Sequence, residues 1–354
     1  MTASKLPAIG KRRIAILAEG KLNVWDAKTA VSVVRWCPDE VVCVIDSQTA
    51  GGDLQKLVST GAGVPIVKNF AAALALQPNC LLIGVANMGG YLPPAFRPII
   101  LKALDRGLHI LSGLHEFLGD DPQFAKKARQ KGVTILDARR LPEDLHCNEN
   151  RVPFLLKNRR VLTVGTDCNL GKMTVSLVCD AEARKRGWKS RFVATGQTGI
   201  FISGHGLPID RTISDFTSGA MEQLMLESKN VDWVWVEGQG GIAHPAFSTV
   251  TLGLLHGTAP TDLILVTLPG RKTSRHMEYG NKLPSLTKFI QLYEDLAALV
   301  LKAKVRAIGV NGVGMSAKQL DATIARIEKE TGLPAADPVR HGGGVFLDAL
   351  AKRG

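Results

Sequence analysis

Short apolar runs, most of them rich in Val, Ile and Leu, alternate along the chain with longer stretches whose apolar positions recur at helical spacing. In the first half, the runs at 14–18, 41–45, 64–67, 81–85, 109–111 and 133–136 predict buried strands. Between them, 27–36, 98–106 and 122–131 predict helices, and Ala30, Val33 and Val34 share one face of the first. The second half repeats the alternation. Strands are expected at 160–164, 191–194, 233–236, 263–268 and 305–310, and helices at 171–186, 215–228 and 318–331. The stretch 285–304 reads as mostly helical. Gly332 and Pro334 follow the helix at 318–331, the usual C-terminal stop.

Strands that alternate with helices predict an α/β protein with doubly wound parallel sheets. The segment 141–153 carries two prolines and neither periodicity, so it reads as a linker. The expected domains are 1–150, Rossmann-like, and 151–354, P-loop NTPase-like.

Composition sharpens this picture. A chain of 354 residues suits two domains. Aromatics at 5 % and 36 glycines fit strand-to-helix turns better than a β-sandwich. No apolar run approaches the roughly 20 residues that span a bilayer, and the run at 14–18 is too short for a signal peptide. The six cysteines are scattered without a Cys-x-x-Cys pair, so a reducing cytoplasm is expected, with no membrane partner. The net charge of +12 favours anionic ligands. The basic run 184–191 reads as cations at a helix C-terminus, and no nucleic-acid partner is expected.

The sharpest motif is Gly165-Thr166-Asp167-Cys168-Asn169-Leu170-Gly171-Lys172-Met173-Thr174. It follows an apolar strand and opens a helix, the setting of a phosphate loop. Backbone N–H groups, the helix N-terminus and Lys172 would converge on an anion. Five residues separate Gly165 from Gly171, where the common pattern has four. Met173 stands where a hydroxyl normally reaches Mg²⁺, and Thr174 comes one place later. The spacing and the leading Gly-Thr-Asp resemble dethiobiotin synthetase and its relatives, a resemblance that implies ATP with Mg²⁺.

Other polar groups collect at the expected carboxyl ends of strands, where open parallel sheets bind ligands. Glu237 ends an apolar strand before Gly238-Gln239-Gly240-Gly241 and resembles the metal-side acid of the same enzymes. Thr195-Gly196-Gln197-Thr198-Gly199 is either a plain turn or an anion cradle, with Gln197 and Thr198 as candidate substrate ligands, together with Gln239 and Gly240. His244 follows the acid turn and is a candidate for proton transfer. Arg271 and Arg275, in the loop 269–276, are either a solvated basic pair or a clamp for carboxylates. Asn311 ends the strand at 305–310 and is either a turn residue or, by resemblance, a reader of the purine edge.

The first half lacks the dinucleotide fingerprint. Its first strand leads into Ala18-Glu19-Gly20-Lys21-Leu22-Asn23, with one glycine, although Asp46 sits where a ribose-binding acid would. The turn 84–91 could line a cleft. His115, Glu116, Asp120 and Asp121 lack metal-ligand spacing and read as surface residues.

The phosphate loop, Thr195–Ile200, Val236–Gly240, His244-Pro245-Ala246 and Thr251–Gly257, with Val41–Ser47 and Ala50-Gly51-Gly52, together resemble a two-domain bacterial and archaeal family. That family joins a Rossmann-like half to a P-loop half and includes D-glutamate N-acetyltransferase. The resemblance implies transfer of acetyl from acetyl-CoA to D-glutamate, or a related acidic amino acid, and a partner racemase acting on the product. The loop would then hold CoA phosphates. Glu237 or His244 would be the base, and Lys172 with backbone N–H groups near Gly240 would hold the phosphate or oxyanion. Arg271 and Arg275 would be the clamp. An ATP-dependent ligase or kinase and a non-catalytic nucleotide-binding protein stand as alternatives. A homo-oligomer is expected.

Overall fold

The computed structural model describes residues 4–5, 9–85, 88–275, 277 and 279–352. Ala86 and Asn87 of the turn at 84–91, and His276 of the basic loop, lie outside the described residues. Two compact units emerge. One comprises the chain up to Leu141 together with Ile200–Pro208, and the other comprises Pro142–Gly199 and the chain from Ile209 onward.

In the first unit six parallel strands form one sheet, in the order Ile66–Val67, Val41–Ile45, Ile14–Leu17, Cys80–Ile83, His109–Ser112, Ile135–Asp137. Chain order reverses on either side of Ile14–Leu17, the topology of a dinucleotide-binding sheet. The Ile14–Leu17 and Cys80–Ile83 strands are buried along their whole length. They read as unbroken apolar runs because helices cover both faces of such a sheet. A small antiparallel pair, Ser4–Lys5 with His205–Gly206, belongs to the same unit.

The second unit also has six parallel strands, in the order Ala335–Ala336, Lys304–Val310, Asp262–Thr267, Arg159–Gly165, Trp233–Val236, Ser190–Val193. Arg159–Gly165 is first in the chain yet central in the sheet, so the chain reverses direction of build beside its carboxyl end. Helix Lys172–Lys185 follows it and lays Val175, Cys179 and Ala183, four residues apart, into the core with Val161, Trp235 and Ile264. Helix Ala317–Thr331 is fixed by a capping box between Ser316 and Gln319 and ends on Gly332 at φ +69°.

Strand and helix positions follow the hydrophobic pattern closely, but several helices depart from it. Residues 197–203 form a helix rather than only a turn, and the helical stretch from 285 stops at Ala298. Ser248–Thr258 and Gly344–Ala351 are helices that the pattern did not mark. Ser248–Thr258 is poor in helix formers, and packing decides it. A Cβ at Gly257 would lie 2.1 Å from the Ser218 carbonyl oxygen, and one at Gly253 would lie 2.5 Å from Thr217. These glycines let the helix lie directly on helix Ser214–Glu227.

The polar segment before residue 153 is held firmly in the second unit. Glu222 is fully buried on helix Ser214–Glu227 and accepts hydrogen bonds from the backbone N–H of Glu149 (3.3 Å) and Arg151 (2.6 Å). It also accepts from Arg151 Nε (2.9 Å) and Nη2 (2.7 Å). A Cβ at Gly219 would meet the His146 carbonyl oxygen at 1.8 Å, so chain and helix touch backbone to backbone.

No helix among the described residues is long and apolar enough to cross a membrane. In the basic run at the end of helix Lys172–Lys185, Arg184 pairs with Asp180 one turn earlier, and Arg186 pairs with Glu182 and with Asp348 of helix Gly344–Ala351.

Candidate functional site

The site grows from the carboxyl end of the central strand Arg159–Gly165. Asn169 (φ +53°) and Gly171 (φ +101°) turn the loop through left-handed backbone, and Lys172 begins the helix. Gly171 caps that helix without a side-chain hydrogen bond, so the first-turn N–H groups have no side-chain acceptor at the cap. This is the arrangement that attracts phosphate. The Lys172 ammonium is buried and donates to the carbonyl oxygens of Asp167 (2.9 Å) and Gly240 (2.6 Å). Burial lowers its pKa to about 8, and the nearby Cys168, Asp167 and Glu237 oppose that shift.

Glu237 ends the neighbouring strand and is buried. Its Oε2 accepts from the backbone N–H of Thr195 (2.9 Å) and Gly196 (3.2 Å), and Oε1 accepts from Gln239 Nε2 (3.2 Å). The N–H groups that could cradle an external anion at 195–196 are thus turned onto this carboxylate. Burial raises the carboxyl to about 7, while the two N–H groups pull the other way. A Cβ at Gly199 would lie 2.5 Å from Oε2, so helix Gln197–Ser203 begins close against the carboxylate. Gln197 and Thr198 are buried in its first turn.

The acid turn passes very close to the phosphate loop. A Cβ at Gly238 would lie 1.7 Å from the Thr163 carbonyl oxygen, and one at Gly241 would lie 2.8 Å from the Asp167 Cα. The four residues after Glu237 therefore include glycines for contact as well as for turning.

Asp167 organises the other side. Its Oδ2 accepts from Arg271 Nη1 (3.0 Å) and from the Arg275 backbone N–H (2.9 Å). Arg271 Nη1 also donates to the Cys168 carbonyl (2.8 Å). His244 is buried, with Nε2 2.8 Å from the Arg275 carbonyl and Nδ1 3.2 Å from the Ala246 N–H. A ring nitrogen facing an N–H must carry the lone pair, so the proton is on Nε2 and goes to Arg275. Asp167, Cys168 and His244 place ligand-type atoms within 4.8 Å of one another. Two of these groups are already engaged, since the His244 Nδ1 faces the Ala246 N–H and Asp167 Oδ2 pairs with Arg271, while Asp167 Oδ1 is buried without a hydrogen-bond partner among the described residues.

Asn311 donates from Nδ2 to the Leu170 carbonyl (2.9 Å) and accepts at Oδ1 from Val313 N–H (3.1 Å). Its carboxamide braces the phosphate loop from the side. Thr166 is buried beside Thr267, while Met173 and Thr174 are half-buried in the first turn of the helix. The structure thus brings Lys172, Glu237, Gln239, Gly240, His244, Arg271, Arg275 and Asn311 to one sheet edge around the loop. Sequence reading did not single out Tyr293, which binds both Gly165 and Ile242. It falls at a core position of an amphipathic helix, and nothing in that spacing marks its hydroxyl.

The first unit's matching edge is closed by its own acids. Asp46 Oδ1 accepts from Gly20 N–H (2.7 Å), and Glu19 Oε2 accepts from Ser47 N–H (2.8 Å). The first and second strand ends exchange carboxylates where a pyrophosphate would need free N–H groups. Of the residues read as surface acids, Asp121 caps helix Pro122–Lys131 and pairs with Arg97, and Glu116 accepts from Leu92 N–H.

Comparison with known proteins agrees with this layout. Residues 150–347 match the P-loop domain of DUF1611, a domain of unknown function, and residues 47–141 match its Rossmann-like N-terminal domain. A protein of Tritonibacter scottomollicae named D-glutamate N-acetyltransferase is 37 % identical over 327 residues, covering 92 % of this chain and 94 % of its own. A protein of the same name from Pseudoalteromonas sp. is 36 % identical over 328 residues, covering 92 % and 93 %. The crystal structure of a DUF1611 family protein from Anabaena variabilis ATCC 29413 superposes with a TM-score of 0.92 at 37 % identity, covering 97 % of this chain and 100 % of that one. With both of its domains matched and relatives similar over nearly its full length, the chain belongs to the DUF1611 family.

Proposed function

We propose that this protein is an N-acetyltransferase that moves acetyl from acetyl-CoA to the amine of D-glutamate, with the phosphate loop holding CoA phosphates. The observation that carries the reading is the buried Glu237 carboxyl, held near 7, beside Lys172 and an uncapped helix N-terminus. The names of the relatives supply the acceptor.

The chemistry needs a base, an oxyanion partner and a carboxylate clamp. Glu237 takes a proton from the substrate ammonium, and the neutral amine attacks the thioester carbonyl. Backbone N–H groups near Gly240 stabilise the oxyanion. The C–S bond breaks, the protonated Glu237 gives its proton to the leaving sulfur so that CoA leaves as its thiol, and the nitrogen loses its remaining extra proton to water. Lys172 and the loop from Gly165 to Thr174 hold phosphate, and Asn311 keeps that loop in place. Gln197, Thr198 and Gln239 line the acceptor side, and the guanidinium donors of Arg271 and Arg275 are assigned to the substrate carboxylates. His244 orients Arg275, because both of its ring nitrogens are engaged. The product, N-acetyl-D-glutamate, is a substrate for a racemase.

Thiol release from acetyl-CoA tests this reading. Purified protein is given D- or L-glutamate, D- or L-aspartate, or no acceptor, each with and without Mg-ATP. Release that requires D-glutamate and ignores ATP is expected. ADP formation without thiol release would place the protein among the ATP-dependent ligases instead.

A further inference from the structure

Two side chains cross the seam between the phosphate loop and the turn after Glu237. Lys172 Nζ joins the Asp167 and Gly240 carbonyls. Tyr293, on helix Leu286–Ala298, joins the same two segments one step away. Its hydroxyl donates to the Gly165 carbonyl (2.7 Å) and accepts from the Ile242 N–H (3.1 Å).

The two bridges differ in kind. The ammonium has three N–H donors, of which the Asp167 and Gly240 carbonyls take two, so turning more than one donor toward a phosphate would take a partner from these carbonyls. The phenol is neutral, fully buried and stacked on Phe289, and burial raises its pKa further. It keeps its proton across the working pH range, so its donor and acceptor roles stay fixed. We infer that Tyr293 is a positioning residue that pins the phosphate loop to the acid turn, so that Lys172 can move to an anion without the seam opening. This inference rests on the proposed function for its kinetic readout, but its binding and exchange readouts do not need that function.

The seam has little slack. The Gly241 backbone lies against Asp167, and Gly240, whose carbonyl holds Lys172, stands at φ +62°. A shift of the turn would displace the Lys172 anchor and Gln239 together.

The test compares the whole protein with its Tyr293→Phe variant. Phe keeps the ring and removes only the hydroxyl. The measurements are pyrophosphate and CoA affinity by calorimetry, acetyl transfer to D-glutamate, thermal unfolding, and amide exchange resolved at Ile242. The expected result is a roughly ten-fold or greater loss of anion affinity, a raised KM for acetyl-CoA with a smaller change in kcat, and faster exchange at Ile242. Unchanged affinity for both ligands in a folded variant would overturn the inference. Should the variant not fold, exchange in the parent protein decides: an Ile242 amide as fast as an exposed turn amide overturns the inference, and a slow one supports it. A parent protein that transfers no acetyl group removes the proposed function alone, because pyrophosphate binding still reports on the seam.

Discussion

Asp167 and His244 grip the backbone of Arg275 from its two ends. Asp167 Oδ2 takes the N–H at 2.9 Å, and His244 Nε2 faces the carbonyl at 2.8 Å, with the two side chains 3.9 Å apart. A residue in the phosphate loop and one beyond the acid turn thus fix the far end of the arginine loop. The loop that would meet substrate carboxylates is built as an extension of the loop that would meet phosphate.

Removing Asp167 breaks this arrangement at its charged point. Asp167→Ala leaves the Arg271 guanidinium, itself largely buried, without its carboxylate. Loss of one member of a buried pair typically costs about 3 kcal/mol or more. Urea unfolding of the variant should show a shift of that order. A shift below about 1 kcal/mol would show that Arg271 finds water or another partner.

Glu237 and His244 should separate kinetically. Loss of a general base lowers the rate by roughly a hundred-fold or more, so Glu237→Gln should remove most acetyl transfer and abolish the acid limb of kcat/KM near pH 7. His244→Asn should raise the KM for the amino acid and leave the position of that limb unchanged. If the limb survives in Glu237→Gln and vanishes in His244→Asn, the two roles are reversed.

The same carboxyl sets a pH dependence of stability. Its pKa rises from an ordinary 4.5 to about 7 on folding, so the folded chain binds the proton more tightly than the unfolded chain does. Stability from this group therefore falls as pH climbs from about 4.5 to about 7. Urea midpoints of the parent protein and Glu237→Gln should lie close together at pH 5, with the variant ahead at pH 8. An equal gap at both values would show that burial does not penalise the charge. Lys172, lowered to about 8, acts in the opposite sense and only at higher pH.

Gly238 should tolerate no side chain. The 1.7 Å approach of an added Cβ to the Thr163 carbonyl involves backbone on a central strand, which cannot swing away. Overpacking of a tight core commonly costs about 1–3 kcal/mol, and contact with backbone exceeds that. Gly238→Ala should lower the melting temperature sharply or fail to fold, while Gly270→Ala meets no atom and is strained only by its φ of +87°. Similar melting temperatures for the two variants would contradict the close packing.

Much of this was legible in the sequence, for identifiable reasons. Buried parallel strands must be apolar on both faces, so Val41–Ile45 and Trp233–Val236 stand out as runs. The phosphate loop and Glu237 stand out because strand ends followed by glycines are uncommon without a reason. What could not be read is how polar groups pair. Arg271 and Asn311 are recognisable candidates for ligand contact, yet each also binds the phosphate loop through partners more than a hundred residues away. Tyr293 and Glu222 were hidden for the same reason: a polar atom at a core position of a helix shows its purpose only once its neighbour is known. Ser248–Thr258 escaped because its glycines speak against a helix locally and serve close packing between helices.

The anchoring of Glu222 bears on where the chain can be cut. A fragment starting at residue 151 would keep the helix that carries this carboxylate but lose the Glu149 amide, and its new terminus would replace the Arg151 peptide N–H. The stretch around His146 that seals Gly219 would be gone as well. A stand-alone P-loop half should therefore begin at or before Pro142, where the compact unit itself begins. The apparent spacer would travel with the P-loop half as part of its wall.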